Sequence, residues 1–94
     1  MIVYWTPDAQ KDLDDAYTCI STDNAAAADQ VEERVLDVVA GLAEWPQSGR
    51  TGVVEGTREL VITRTPYIAV YELVGEQVNV LRLIHGRRQW PPTP

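Results

Sequence analysis

Residues 65–92 read TPYIAVYELVGEQVNVLRLIHGRRQWPP, and the fold turns on this stretch. Two apolar runs, Tyr67 to Val74 and Val78 to Ile84, flank the short connection Gly75-Glu76-Gln77. β-Branched and aromatic residues fill both runs, which predicts two antiparallel strands joined by a glycine-containing loop. The second run passes directly into His85-Gly86-Arg87-Arg88-Gln89-Trp90, setting an imidazole, two guanidiniums and an indole at one edge of the sheet. Proline has no N–H to give a strand ladder, so residues 91–94 are expected to leave the sheet as an extended tail.

Upstream of the hairpin, Arg58 to Arg64 alternates. Arg58, Leu60, Ile62 and Arg64 face one way, and Glu59, Val61 and Thr63 the other, which predicts one more strand. Pro46 to Gly56 is rich in Pro, Gly and Ser and reads as a loop, with a short strand at Gly52 to Glu55. Further upstream, Ile2 to Trp5 forms a short opening strand. Thr6-Pro7-Asp8 carries the marks of a helix start: an N-capping hydroxyl, proline at the first helical position and an acid in the first turn. Ala9, Leu13, Ala16, Tyr17 and Ile20 then recur at helical spacing, with Asp8, Asp12 and Asp15 set opposite. Ser21 to Asn24 is expected to break this helix, and Asn24 to cap a second one. The second helix bears Ala28, Val31, Val35, Val38, Val39 and Leu42 as its apolar stripe and ends before Pro46. The order strand, helix, helix, strand, strand, strand defines a small α+β domain over residues 1–90. In it, an N-terminal strand and a helical hairpin pack on a small antiparallel sheet. The main contributors expected to the core are Val31, Val35, Val38, Leu42, Leu60 or Val61, Val70, Leu81 and Leu83.

The 94 residues allow one modest core, and 45% apolar with 23% charged residues is the composition of a folded chain. No apolar run approaches a membrane span. The opening Met-Ile-Val-Tyr-Trp-Thr-Pro-Asp has no basic n-region or cleavage-like site, so no signal peptide is expected. A single cysteine, Cys19, fits a reducing cytoplasm. The net charge is −6 but unevenly spread: ten acids face Lys11 and Arg34 up to Ser48, whereas six arginines face four glutamates beyond it. A protein that grips RNA over a large area is normally basic overall, and this one is not.

Chemistry is to be sought among the arginines Arg50, Arg58, Arg64, Arg82, Arg87 and Arg88, in a half of the chain with no lysine. Guanidinium is the cation suited to carboxylate or phosphate. Cross-strand pairing with Glu55, Glu59 and Glu72 is the competing structural reading, weightiest for Arg58 and Arg82. Arg87 and Arg88 have no acid beside them in sequence and read as contact residues, with Trp90, Tyr67 and Tyr71 either in the core or lining a groove for a partner. His85 has the right chemistry for proton transfer but no companion carboxylate in sequence, and a lone histidine closing a strand is more often structural. Cys19 reads as a small buried hydrophobe. The acids of the first helix, Asp8, Asp12, Asp14 and Asp15, read as a solvated face. One histidine and one cysteine make no zinc site, and no phosphate-binding loop or nucleophile elbow is present, so neither metal nor cofactor is expected.

Taken together, Pro46…Gly49-Arg50, Gly56-Thr57-Arg58-Glu59-Leu60, Pro66-Tyr67-Ile68-Ala69-Val70-Tyr71 and Leu81-Arg82-Leu83-Ile84-His85-Gly86-Arg87-Arg88-Gln89-Trp90-Pro91 resemble the RelE/ParE toxin superfamily of bacterial type II toxin–antitoxin modules. The resemblance covers nearly the whole chain. It implies a helical hairpin on a small antiparallel sheet, held inactive by an antitoxin from the adjacent gene whose C-terminal segment wraps the toxin. RelE-like members cleave mRNA on the ribosome, and ParE-like members are associated with poisoning DNA gyrase. The ribonucleases carry an arginine two residues before the valine-tyrosine pair of the third strand. Here that pair is Val70-Tyr71, and Ile68 stands at the matching place.

The Pro-Tyr strand opening and the His-Gly-Arg-Arg ending resemble the ParE branch, so the expectation is a gyrase-directed, cytoplasmic toxin without a catalytic residue. Its contacts are expected from Arg50, Arg58, Arg64, Arg82, Arg87, Arg88, Trp90, Tyr67 and Tyr71. The RelE-like alternative is an mRNA endoribonuclease using His85, Arg82 and Arg64. A third reading is an interaction module without toxicity.

Overall fold

A computed structural model describes residues 1–86 of the chain; Arg87, Arg88, Trp90 and the expected tail at 91–94 lie outside the described residues. The elements run β1 (Ile2–Trp5), α1 (Pro7–Asp23), α2 (Ala25–Ala40), a 3-10 turn (Gly41–Ala43), β2 (Arg50–Thr51), β3 (Thr57–Val61), β4 (Tyr67–Val74) and β5 (Gln77–His85). One five-stranded sheet has the order β1-β5-β4-β3-β2. β2 to β5 are antiparallel throughout, while β1 lies parallel to β5, so the α+β fold carries a mixed sheet. The long connection from β1 to β5, through both helices and three strands, leaves the pair free of the tight turn that would make it antiparallel.

Local chemistry sets the helix boundaries. Thr6 Oγ1 accepts from Ala9 N (3.2 Å), capping α1, and donates to Val80 O (2.8 Å), so one hydroxyl starts the helix and ties it to β5. The expected break at Ser21 is absent. Ser21 and Thr22 instead donate their hydroxyls to Thr18 O, and α1 continues to Asp23. Only Asn24 interrupts: its extended backbone ends one helix, and its side chain accepts from Ala27 N (3.0 Å) to begin the next. Tyr17 Oη donates to Asp29 Oδ1 (2.6 Å) across the hairpin, and that bond raises the tyrosine pKa.

The core lies between the hairpin and one face of the sheet. Ala9, Leu13, Val35, Val39 and Leu42 meet Ile62, Ala69, Tyr71, Val78, Val80 and Leu83 there. Val31, Val38 and Leu60 are partly buried against this cluster, as expected in kind if not in degree. Val61 is 46% exposed, which decides the Leu60-or-Val61 alternative for Leu60. Leu81 is half-buried, because the ladder shifts register between Val70 and Tyr71: Val70 pairs with Arg82 and Tyr71 with Val80, leaving Leu81 as the extra residue of a bulge.

Three loop expectations change. The short strand is at Arg50–Thr51, because Gly52 to Gly56 instead makes a tight turn with Gly52 N donating to Thr57 O (2.9 Å) and Gly56 at φ +83°. The hairpin connection is only Gly75-Glu76, with Gly75 at φ +59°, a conformation that glycine tolerates. β3 stops at Val61, and Arg64 sits in the following turn at φ +68° rather than in the strand.

Candidate functional site

The register places four rows of side chains on the sheet face opposite the helices. Ile2, Gln77 and Val74 form the first, and Tyr4, Asn79, Glu72 and Thr57 the second. Arg82, Val70, Glu59 and Arg50 form the third, and Ile84, Ile68 and Val61 the last. Ile68, where the ribonuclease resemblance expects a cation, thus stands in a wholly apolar row.

The arginines are mostly committed to the fold. In the third row, Arg50 Nη2 lies 3.1 Å from Glu59 Oε1, and Val53 N donates to Glu59 Oε2 (3.1 Å). The Arg50 side chain is 60% exposed, so this pair contributes little to stability by itself. Arg58 takes no glutamate. Its Nη1 donates to Gly49 O (2.9 Å) and, more weakly, to Gln47 O (3.4 Å), closing the loop before β2. Arg34 of α2 donates Nε to Thr63 O (2.6 Å) and Nη2 to Thr63 Oγ1, bracing the β3–β4 turn.

Arg82 leaves its row for α1. Its Nε and Nη2 grip the two oxygens of Asp12 at 2.6 and 3.0 Å, and Leu83 N donates to Asp12 Oδ2 (3.0 Å). The cause is topological: β1 ends at Trp5, so β5 beyond the bulge has no strand on that side, and Asp12 takes the exposed N–H. Asp12 is therefore no part of a solvated face, and its hydrogen bond raises the Arg82 pKa further above the usual guanidinium range. Asp8, Asp14 and Asp15 are exposed as expected, with Asp15 paired to Lys11 (2.9 Å).

Tyr71 is fully buried, which corrects its reading as a partner contact. Its ring belongs to the core, and its hydroxyl donates to Pro46 O (2.7 Å) and accepts from Gly49 N (2.9 Å). Tyr67 is half-buried and meets His85 edge to face, with ring centroids 5.6 Å apart. These two rings, with Asp12, Asp15, Cys19 and Leu83, line a cavity of about 210 Å³ between α1 and the end of β5. Cys19 is exposed, not buried as expected, because it lies at the rim of that cavity. Among the described residues no group of three His, Cys, Asp or Glu side chains is placed to hold a metal, and no helix is long and apolar enough to cross a membrane. Asp12 and Gly49 are the residues that sequence reasoning missed; the only trace of the second was its place beside Arg50 in the quoted motif.

The sequence and the fold have known counterparts. Residues 3–90 match the family described as "ParE toxin of type II toxin-antitoxin system, parDE". A protein of Sinorhizobium fredii (strain NBRC 101917 / NGR234), named "Putative toxin Y4kP", is 39% identical over 89 residues, covering 95% of this chain and 92% of that protein. Among solved structures, one titled "Chromosomal ParDE TA system from P. aeruginosa" superposes with a TM-score of 0.83 at 26% identity, over 90% of this chain and 95% of the other. The chain belongs to the ParE toxin family of type II toxin–antitoxin systems.

Proposed function

We propose that this protein is the active toxin of its module, that it acts in the cytoplasm on DNA gyrase without cleaving RNA, and that an antitoxin from the adjacent gene silences it. Family membership supports the toxin role and the antitoxin partner. The observation that carries the choice of target is the apolar row Val61, Ile68, Ile84. Phosphodiester cleavage needs a cation where negative charge develops, and losing one such donor typically costs about 10²–10³ in rate. Arg82, a second cation of the ribonuclease reading, has its charge offset by Asp12. Of that reading's residues, His85 would be left with Arg64 alone, which stands in the turn after β3 and not on the strand.

The test has two parts. Induced expression is expected to arrest growth, and co-expression of the neighbouring open reading frame to restore it. The purified protein is expected to inhibit supercoiling by gyrase and to leave ribosome-bound mRNA intact. His85→Gln should retain toxicity, whereas charge reversal at Arg87 and Arg88 should weaken it. Codon-specific mRNA cuts that disappear in His85→Gln would transfer the protein to the ribonuclease branch.

A further inference from the structure

Every described basic side chain but one is engaged within the chain. Lys11 holds Asp15, Arg34 holds Thr63, Arg50 holds Glu59, Arg58 holds two loop carbonyls and Arg82 holds Asp12. Arg64 is exposed and makes no hydrogen bond or ion pair among the described residues. It also has a left-handed backbone, at φ +68°, alone among the described non-glycine residues. Thr65 N donates to Ile62 O (3.2 Å), so Arg64 is the third residue of a β-turn, a place with positive φ that glycine fills without a Cβ clash and asparagine tolerates through local hydrogen bonding.

The turn does not relax because its surroundings overdetermine it. Thr65 Oγ1 donates to Ile62 O (2.9 Å) and accepts from Tyr67 N (3.1 Å), while Ile62 N donates to Tyr67 O (3.0 Å). Arg34 clamps both the carbonyl and the hydroxyl of Thr63 from α2. Gly86 N donates to Pro66 O (2.6 Å) from the other side. A residue that strains its backbone and contributes no contact to the fold is poorly explained by folding. A long side chain on a rigid tip is well explained as a contact residue whose ordering cost is partly met before binding.

We infer that Arg64 is a pre-positioned anchor for a carboxylate on a protein partner, the planar guanidinium forking onto the two oxygens. A phosphate ligand is disfavoured by the overall charge of the chain and by the scarcity of free cations among the described residues. Nucleic-acid binding rests on several free cations acting together, whereas here the other described bases are already engaged and the chain is −6 overall. This assignment rests on the toxin reading for its candidate partners, the antitoxin and gyrase, and either could supply the carboxylate.

The experiment compares wild type with Arg64→Gly, Arg64→Asn and Arg64→Lys. Each is assayed for melting temperature, for affinity to the product of the neighbouring open reading frame, for inhibition of gyrase supercoiling, and for binding of a duplex DNA and a single-stranded RNA oligonucleotide. Arg64→Gly and Arg64→Asn suit the turn, so the melting temperature should hold or rise by a few degrees. One of the two partner readouts should fall about tenfold or more, the loss that marks an arginine anchor at an interface, with Arg64→Lys in between. The readout that falls identifies the source of the carboxylate. Full retention of both readouts overturns the inference, as does a lowered melting temperature in both turn-compatible variants. A loss confined to binding of a duplex DNA or single-stranded RNA oligonucleotide overturns it in favour of phosphate. Wild type that leaves gyrase untouched withdraws the target reading alone, and the antitoxin arm then decides Arg64. Wild type that engages neither protein removes both.

Discussion

Asp12→Ala is expected to lower the unfolding free energy by about 2–4 kcal/mol and to stand among the most damaging single changes on α1. Two losses combine. The Arg82 guanidinium, with a side chain 32% exposed, loses a carboxylate that is itself only 16% exposed, so solvent screens the pair less than a surface ion pair. Leu83 N loses its acceptor at a strand edge that has no neighbouring strand. For a domain of this size, such a change should lower the melting temperature by roughly 10–20 °C. Asp12→Asn separates the parts: one amide oxygen can still accept from Leu83 N while the charge is gone, so about half of the loss should return. Denaturant melts of the three proteins decide the matter. A loss below about 0.5 kcal/mol for Asp12→Ala would show the bond to be as weak as an exposed pair.

Asp12 also shows where sequence reading stops. On a helical wheel it lies at the flank of the Ala9, Leu13 and Ala16 stripe, about 40° from Ala16, and an acid at such a border reads as turned to water. Its partner is 70 residues distant and becomes available only because β1 ends early and β5 bulges at Leu81. Nothing local to α1 encodes that edge. The helix caps behave oppositely. Thr6, Pro7 and Asn24 act within three residues of themselves, and all were legible. The hairpin was legible for a similar reason, since Tyr67–Val74 and Gln77–His85 meet across a connection of only Gly75 and Glu76.

The arginines mark the same divide. As a sequence feature they form a basic half facing an acidic one, which invites the reading of a binding surface. In the fold, Arg58 turns out to serve loop carbonyls and Arg82 a helix carboxylate, and neither partner is the cross-strand glutamate that proximity in sequence favours. Tyr71 went the same way, from groove candidate to buried strut. Long polar side chains reach about as far as the spacing between neighbouring elements, so their partners depend on topology more than on sequence neighbours. Among the described candidates, what remains accessible is smaller and more specific: Arg64, the half-buried Tyr67, and Arg50, which is exposed though paired.

Gly49→Ala should be among the most disruptive methyl groups that can be added to a glycine of the described chain. A Cβ at Gly49 would sit 2.7 Å from both Cε1 and the hydroxyl oxygen of Tyr71, and 3.0 Å from Glu59 O. Tyr71 cannot yield readily, being fully buried on a central strand, and its hydroxyl is held by Pro46 O and Gly49 N. Relief must come from the loop, whose displacement would break those two bonds and strain the contacts of Arg58 to Gly49 O and of Arg50 to Glu59. Overpacking alone costs about 1–3 kcal/mol, and a buried hydroxyl and amide left without partners cost about as much again. The expected total is therefore about 3–5 kcal/mol, a large share of the stability of a small domain. Tyr71→Phe separates the two causes, since it removes the hydroxyl but keeps the ring, and should cost only about 1–2 kcal/mol. In the Gly49→Ala background the same Phe substitution should cost less than it does alone, because the bonds are already broken and one of the clashing atoms is gone. A double-mutant cycle by chemical denaturation reads this coupling directly, and strict additivity would mean that the methyl group does not act through Tyr71.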